Sequence, residues 1–341
     1  MEKSPLKKYC ILSLKISLAA FIIWYMVRSG RITEEVFIKL FRLENVPYLL
    51  FSGLAFYSAQ VLAALRFTSI VRMIELPVTF SRILRLTLIG NFFNMVLPGS
   101  VGGDVIKGVF LIRSEEEGKG RSSGIVIMDR VLGLFALLLV AVASVLYFIQ
   151  ENRTAVAPYR REIHFILVLA AVVSAFFVAV LLWGKNRALR EKLKEAARTI
   201  LRNSVFYYML EGFAVITRKR RVLLYTLLLS IFIQVLSLGG VLALVSMISA
   251  IDFSYAVTLM AVSSVVMLMG VIPVTPGNIG WTELVASFGW AAVGSSAGGE
   301  VFFYWRVVCI VFSLPGALLY YMPGAGAALR RPAESGAPRE L

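Results

Sequence analysis

Six apolar runs, at residues 9–28, 46–66, 124–149, 163–183, 222–249 and 301–322, each approach the ~20 residues that an α-helix needs to cross a bilayer. They are continuous and do not alternate apolar with polar residues, so they predict helices and not barrel strands. Hydrophobic residues make up 59% of the chain and the mean hydropathy is +0.81. A soluble domain carries about half apolar residues or less. The fold class that follows is an all-α polytopic membrane protein.

The first run follows Lys3, Lys7 and Lys8 and stays apolar beyond the length of a signal peptide, so it reads as a retained signal anchor. Cys10 and Cys309 fall in or beside spans and read as packing residues, with no disulfide framework. His164 opens a span beside Arg160 and Arg161 and reads as interfacial. The formal charge of +15 would suit a nucleic-acid partner if it were spread over a soluble face, but it is concentrated in the loop 185–221. That loop carries eleven Lys and Arg against three Glu, which marks it as cytoplasmic. Leu189, Leu193, Ala196, Ala197, Ile200 and Leu201 recur in it at helical spacing, so part of it is expected to lie on the anionic inner leaflet.

Counting spans from a cytoplasmic N-terminus keeps 185–221 inside only if segment 79–113 enters and leaves on one side. About fifteen apolar residues reach Leu97, and Pro98, Gly99, Gly102 and Gly103 then break the helix, as a re-entrant hairpin requires. The second half repeats the plan with a break in 253–297. Pro98-Gly99-Ser100-Val101-Gly102-Gly103-Asp104 and Pro276-Gly277-Asn278-Ile279-Gly280-Trp281-Thr282-Glu283 both read Pro-Gly, small polar, β-branched, Gly, then an acid. Arg130 and Arg306 follow at similar spacing near the start of a long apolar span. The expectation is a single transmembrane domain, 1–331, made of two inverted-topology units, about 46–149 and 222–322, with paired re-entrant or broken helices. Residues 332–341 form a polar tail expected to be disordered, and both termini are expected on the cytoplasmic side of the inner membrane.

Paired Gly/Pro-interrupted segments in two inverted halves point to a transporter site near the midplane. A break leaves backbone N–H groups and helix ends that attract anions. Asp104, Glu283, Arg130 and Arg306 lie in or beside apolar stretches, where a central charge costs about 2.5–3.5 kcal/mol. Such groups are retained when paired or used, either as one polar cavity whose arginines fork onto a phosphate or as ion pairs bracing the halves. Asn91 and Asn94 lie one turn apart ahead of the first break, with Asn94 the better site candidate. Lys107 either contacts a headgroup or snorkels to the surface. Gln60 and Gln234 read as helix–helix glue, and Asp129 as an interfacial neighbour of Arg130. No GxxxxGK[ST] loop is present, and no catalytic, metal or cofactor set is expected.

Asn94 to Asp104, Asp129-Arg130-Val131-Leu132-Gly133, and Pro273 to Glu283 together resemble the lysylphosphatidylglycerol synthase transmembrane-region family, also called flippase-like domain or UPF0104-type proteins. The resemblance covers nearly the whole chain. It implies site roles for Asn94, Pro98, Gly99, Gly102, Asp104 and Arg130 in the first unit, and for Pro276, Gly277, Gly280, Glu283 and Arg306 in the second. Asn278 and Lys107 join them on the reading of the break and its flank. Asp104 stands where many relatives carry glutamate. Relatives that synthesise aminoacylated lipid carry a soluble transferase domain, for which 341 residues leave no room, so this chain is not expected to make lysyl-lipid itself.

The leading expectation is a lipid flippase or transporter for an anionic phospholipid or a lipid-linked polyprenyl-phosphate or glycolipid headgroup. Its partners would be the membrane lipid, a lipid-modifying enzyme and a second copy of the chain, with no nucleic acid. The rival readings are an integral-membrane transferase acting on a lipid-phosphate carrier and a non-transporting accessory subunit. The dense acidic run Glu115-Glu116-Glu117 reads as solvated, which counts against the transferase.

Overall fold

A computed structural model describes residues 33–96 except 75 and 77, residues 103, 106–109 and 119–151, and residues 220–322 except 273, with scattered positions at 17–30 and 168–175. The calls on Cys10, His164, the loop 185–219 and the tail lie outside the described residues.

Everything regular among the described residues is helical. In chain order the helices are α1 (Glu34–Leu40), α2 (Val46–Val71), α3 (Phe80–Val96), α4 (Lys119–Glu151), α5 (Arg220–Val245), α6 (Phe253–Met269), α7 (Trp281–Ala291) and α8 (Gly298–Tyr321). Among the described residues, four segments are long and apolar enough to cross a membrane: Leu43–Val71, Gly124–Gln150, Arg221–Val245 and Gly298–Tyr321. Their most apolar windows are only 33–44% buried inside the protein, so most of that surface must face lipid. Leu50, Leu54, Leu228, Phe232, Val311 and Leu318 are among the large side chains turned outward.

The second break falls where the sequence places it, and the first, Pro98 to Gly102, lies outside the described residues. Helices α3 and α6 have 17 residues each. At 1.5 Å per residue such a helix is about 25 Å long, short of a ~30 Å hydrocarbon core. α3 stops at Val96, two residues before Pro98, and a residue preceding proline disfavours the α conformation. α6 starts on Asp252, whose Oδ1 accepts the Tyr255 N–H at 2.8 Å, and ends at Met269. The chain then leaves helical geometry until α7, apart from one 3₁₀ turn at Pro276–Asn278.

Each half has its own apolar core. One gathers Phe67, Ile70, Ile83, Leu86, Met128 and Leu132 from α2, α3 and α4; the other gathers Leu244, Leu259, Val266, Trp290, Tyr304 and Val308 from α5 to α8. The most extensive helix contact is between α2 and α5, which joins the halves. Around it the contacts among α2, α3, α4, α5, α6 and α8 have counterparts when the halves are exchanged: α3 packs on α8 as α6 packs on α4, α4 touches α5 as α8 touches α2, and α2 lies on α3 as α5 lies on α6, whereas the contacts of α7 with α6 and α8 have none among the described residues.

Close approach is set by small residues. A Cβ on Gly316, which follows Pro315 in α8, would overlap the Leu88 carbonyl oxygen of α3. We expect Gly316→Ala to lower stability by about 1–3 kcal/mol through overpacking. Gly239→Ala, with nothing within 4 Å of the new methyl, should leave the melting temperature unchanged or slightly raised. Thermal unfolding of the two detergent-solubilised variants checks this, and equal effects would refute the α3–α8 contact.

Candidate functional site

The second break folds around one guanidinium. Gly277 has φ +57° and Asn278 φ +56°, so consecutive residues are left-handed. Glycine takes this region freely, and asparagine tolerates it better than most side chains. The resulting loop exposes the last carbonyls of α6 and its own carbonyls at membrane depth, where each needs a partner. Trp281 Nε1 donates to Met269 O at 3.1 Å and Asn278 Nδ2 donates to Gly270 O, which caps α6 from beyond the break. Thr275 Oγ1 donates to Ile279 O at 2.8 Å.

Arg306, on α8, serves the remainder. Its Nη1 donates to Gly277 O and its Nη2 to Asn278 O, both at 2.8 Å. Nη2 also donates to Thr282 Oγ1 at 2.6 Å, and Nε pairs with Glu283 Oε1. Glu283 lies in the first turn of α7, is 2% exposed, and also receives the Thr282 hydroxyl at 3.0 Å. A planar guanidinium with fixed donors suits two carbonyls and a carboxylate at once, as an ammonium could not.

The second break meets the end of α3. The 3₁₀ turn of the second contacts α3, the helix that enters the first. A Cβ on Gly277 would stand 2.8 Å from Met95 O. Asn94 Oδ1 accepts the Gly103 N–H at 2.8 Å, tying the far side of the first break to α3. Beside this junction, between the halves, lies a cavity of about 610 Å³. Asn94, Arg130, Gly277, Asn278 and Arg306 line it, with Gln60 and Gln234 from the paired helices α2 and α5. Phe56, Leu134, Met267, Phe302 and Trp305 supply apolar wall. An adjoining lobe of about 270 Å³ shares Gln60, Asn91, Asn94, Arg130 and Gln234 and adds Arg66, Thr87, Lys107 and Asp129. Lys107 Nζ also sits 4.9 Å from the centre of the Phe67 ring.

Of the residues given site roles in the sequence, Asn94, Arg130, Gly277, Asn278 and Arg306 thus line the larger cavity and Lys107 the smaller. Pro276, Gly280 and Glu283 build the break behind the lining. Pro98, Gly99, Gly102 and Asp104 lie outside the described residues.

A model of the family described as lysylphosphatidylglycerol synthase TM region matches residues 11–316. The chain belongs to that family. A UPF0104 membrane protein of Pyrococcus horikoshii is 23% identical over 318 residues, covering 85% of this chain and 88% of its own length. No solved structure matches.

This lysylphosphatidylglycerol synthase TM-region chain also holds a charged pair that the sequence reading did not assemble. The apolar run 46–66 places the return of that span near Arg66, but α2 runs on to Val71 and keeps Arg66 inside it. Arg66 Nε donates to Asp129 Oδ1 at 2.8 Å and Nη1 to Ser230 Oγ at 2.9 Å, linking α2, α4 and α5. Both side chains are under 10% exposed, so Asp129 is a buried partner and not an interfacial bystander. Gly133 gives the guanidinium room, since a Cβ there would stand 3.4 Å from Arg66 Nη1. On α3, Thr87 Oγ1 and Asn91 Nδ2 are buried without a hydrogen-bond partner, whereas Asn94 spends its oxygen on Gly103. Thr87, Asn91 and Asn94 follow one another at i, i+4 and i+7, so their common face was legible as a polar stripe.

Asp129→Ala leaves Arg66 as a buried cation without its carboxylate, and we expect a loss of about 3–5 kcal/mol. The double variant Arg66→Met/Asp129→Leu, which removes both charges, should recover most of it. Thermal unfolding of the three proteins checks the prediction; additive losses would refute the pair.

Proposed function

We propose that this chain moves the anionic headgroup of a phospholipid, or of a lipid-linked polyprenyl-phosphate or glycolipid, across the cytoplasmic membrane while the tails stay in lipid. The observation that carries the reading is the meeting of the second Pro-Gly break with the helix entering the first, beside one cavity between two halves whose helix contacts exchange. Discontinuous helices facing each other at a repeat interface suit a substrate site near the midplane. The exchange of contacts supports an inverted repeat, and family membership supports a lipid substrate class.

In this reading the two arginines have different work. Arg306 holds the second break closed through Glu283 and two carbonyls, so it positions the wall. Arg130 lines both lobes and, with Lys107, supplies the cationic lining that a phosphate would meet. The chain makes and breaks no covalent bond of the lipid. With no phosphate-cradling nucleotide motif in the sequence, the driving force is a lipid or ion gradient or consumption of the product by a partner enzyme.

A leaflet-resolved assay in proteoliposomes, with anionic and polyprenyl-phosphate lipids labelled on their headgroups, tests the proposal. The native chain should translocate at least one of them. Arg130→Ala and Glu283→Gln should lower the rate at least ~10-fold while the protein remains folded by size exclusion, the loss of one charged hydrogen bond being worth about that factor. The glutamine keeps the shape of Glu283 but withdraws the charge facing Arg306. Full transport by either variant would refute the role given to that residue, and no transport of any lipid by the native chain would refute the reading.

A further inference from the structure

The α2–α5 seam carries a second concavity, separate from the central cavity. Its volume is about 370 Å³, within the range of ligand pockets, and Ser69, Arg72, Met73, Arg221, Val222 and Tyr225 line it. α2 ends at Val71 and α5 begins at Arg220, so the two guanidiniums approach from opposite halves of the protein. Both side chains are exposed, and neither has a hydrogen-bond or ion-pair partner among the described residues. The lining contains no carboxylate among the described residues. Tyr225 follows Arg221 by one helical turn and is 47% exposed, which leaves its hydroxyl free to join them. The Ser69 hydroxyl is spent on Leu65 O at 2.9 Å.

The seam is otherwise two-sided. The register that pairs Gln60 with Gln234 puts Ala243, Ser246, Pro47 and Phe51 at its other end, where Ser69, Arg72, Arg221 and Tyr225 stand at this one. Packing of α2 on α5 therefore needs neither arginine. Two like charges held at one concavity repel each other, and an anion seated between them removes that cost. Arg in a phosphate site offers parallel N–H donors, and Tyr at the bilayer surface presents an amphipathic ring and a hydroxyl.

We propose that Arg72, Arg221 and Tyr225 form a binding site for a phosphate-bearing anion, which bridges the two halves at one end of the α2–α5 seam. A phospholipid headgroup and free phosphate share this chemistry. Bound there, the anion ties α2 to α5 without entering the central cavity, so occupancy stabilises one arrangement of the halves.

The experiment uses the purified full chain in a neutral detergent and follows the unfolding temperature during titration with phosphatidylglycerol, phosphatidylcholine or inorganic phosphate. Saturable stabilisation by phosphatidylglycerol alone supports a lipid headgroup, and equal stabilisation by inorganic phosphate supports a free anion. In the Arg72→Lys/Arg221→Lys variant, which keeps the charge that guides insertion but loses the planar fork, the half-saturating concentration should rise at least ~10-fold. Gly239→Ala, whose added methyl meets nothing within 4 Å, should bind as the native chain does. The proposal is overturned if the double lysine variant matches the native chain, if phosphatidylcholine acts equally, or if no ligand stabilises the protein.

Discussion

A backbone that leaves helical geometry inside hydrocarbon must find a partner for every polar group it exposes, and in this chain that demand converges on Arg306. Without its guanidinium, the carbonyls of Gly277 and Asn278 would face apolar surroundings at a cost of several kcal/mol each. Glu283 then becomes obligatory, because the same guanidinium is an unaffordable charge unless a carboxylate meets it. Thr282 links the two by accepting from one and donating to the other. The break, the arginine, the acid and the hydroxyl are therefore one device, and the position of the second break against Met95 depends on it.

The two halves meet the same geometric need with different chemistry. Where α2 faces α4, Arg66 and Asp129 pair beside Gly133. The register that pairs Gln60 with Gln234 and Arg130 with Arg306 assigns to these two positions Gly240 and Trp305. Those residues also touch, since a Cβ on Gly240 would lie 2.8 Å from the Trp305 ring. A buried ion pair in one half is thus replaced by an indole seated on a glycine in the other. The aromatic ring carries no desolvation penalty, whereas the ion pair adds a third attachment, to Ser230 of α5.

How much of this was legible depended on whether the signal was local. Length and continuity of the apolar runs gave the long helices, and the Pro276-Gly277 pair gave the second break, because helix termination by proline is decided within two or three residues. Spacing suggested that Glu283 and Arg306 share a site, but not that the arginine's donors would be taken by backbone carbonyls, which depends on the loop's left-handed turn. Arg66 was misread because a charge beyond 20 apolar residues looks like the end of a span. Its pairing with Asp129 lies 63 positions away, and no local pattern reports that. The stripe of Thr87, Asn91 and Asn94 had the opposite fate. Its periodicity was plain, but which of its groups stay unpartnered depends on Gly103, across a break.

The cavity beside the junction is divided in the way an amphipathic ligand is divided. Ionisable side chains concentrate around the smaller lobe, where Arg66, Lys107, Asp129 and Arg130 meet. The larger lobe carries the aromatic wall of Phe56, Phe302 and Trp305. Arg66 and Asp129 pair with each other, and Lys107 and Arg130 are the other charged side chains of the described lining. A purely structural polar core would not need this segregation, because buried charges satisfied within the protein can sit anywhere their partners reach. Charged groups around the smaller lobe and aromatic wall in the larger, across a shared boundary of Gln60, Asn91, Asn94, Arg130 and Gln234, would suit a ligand with a polar end and a hydrocarbon end.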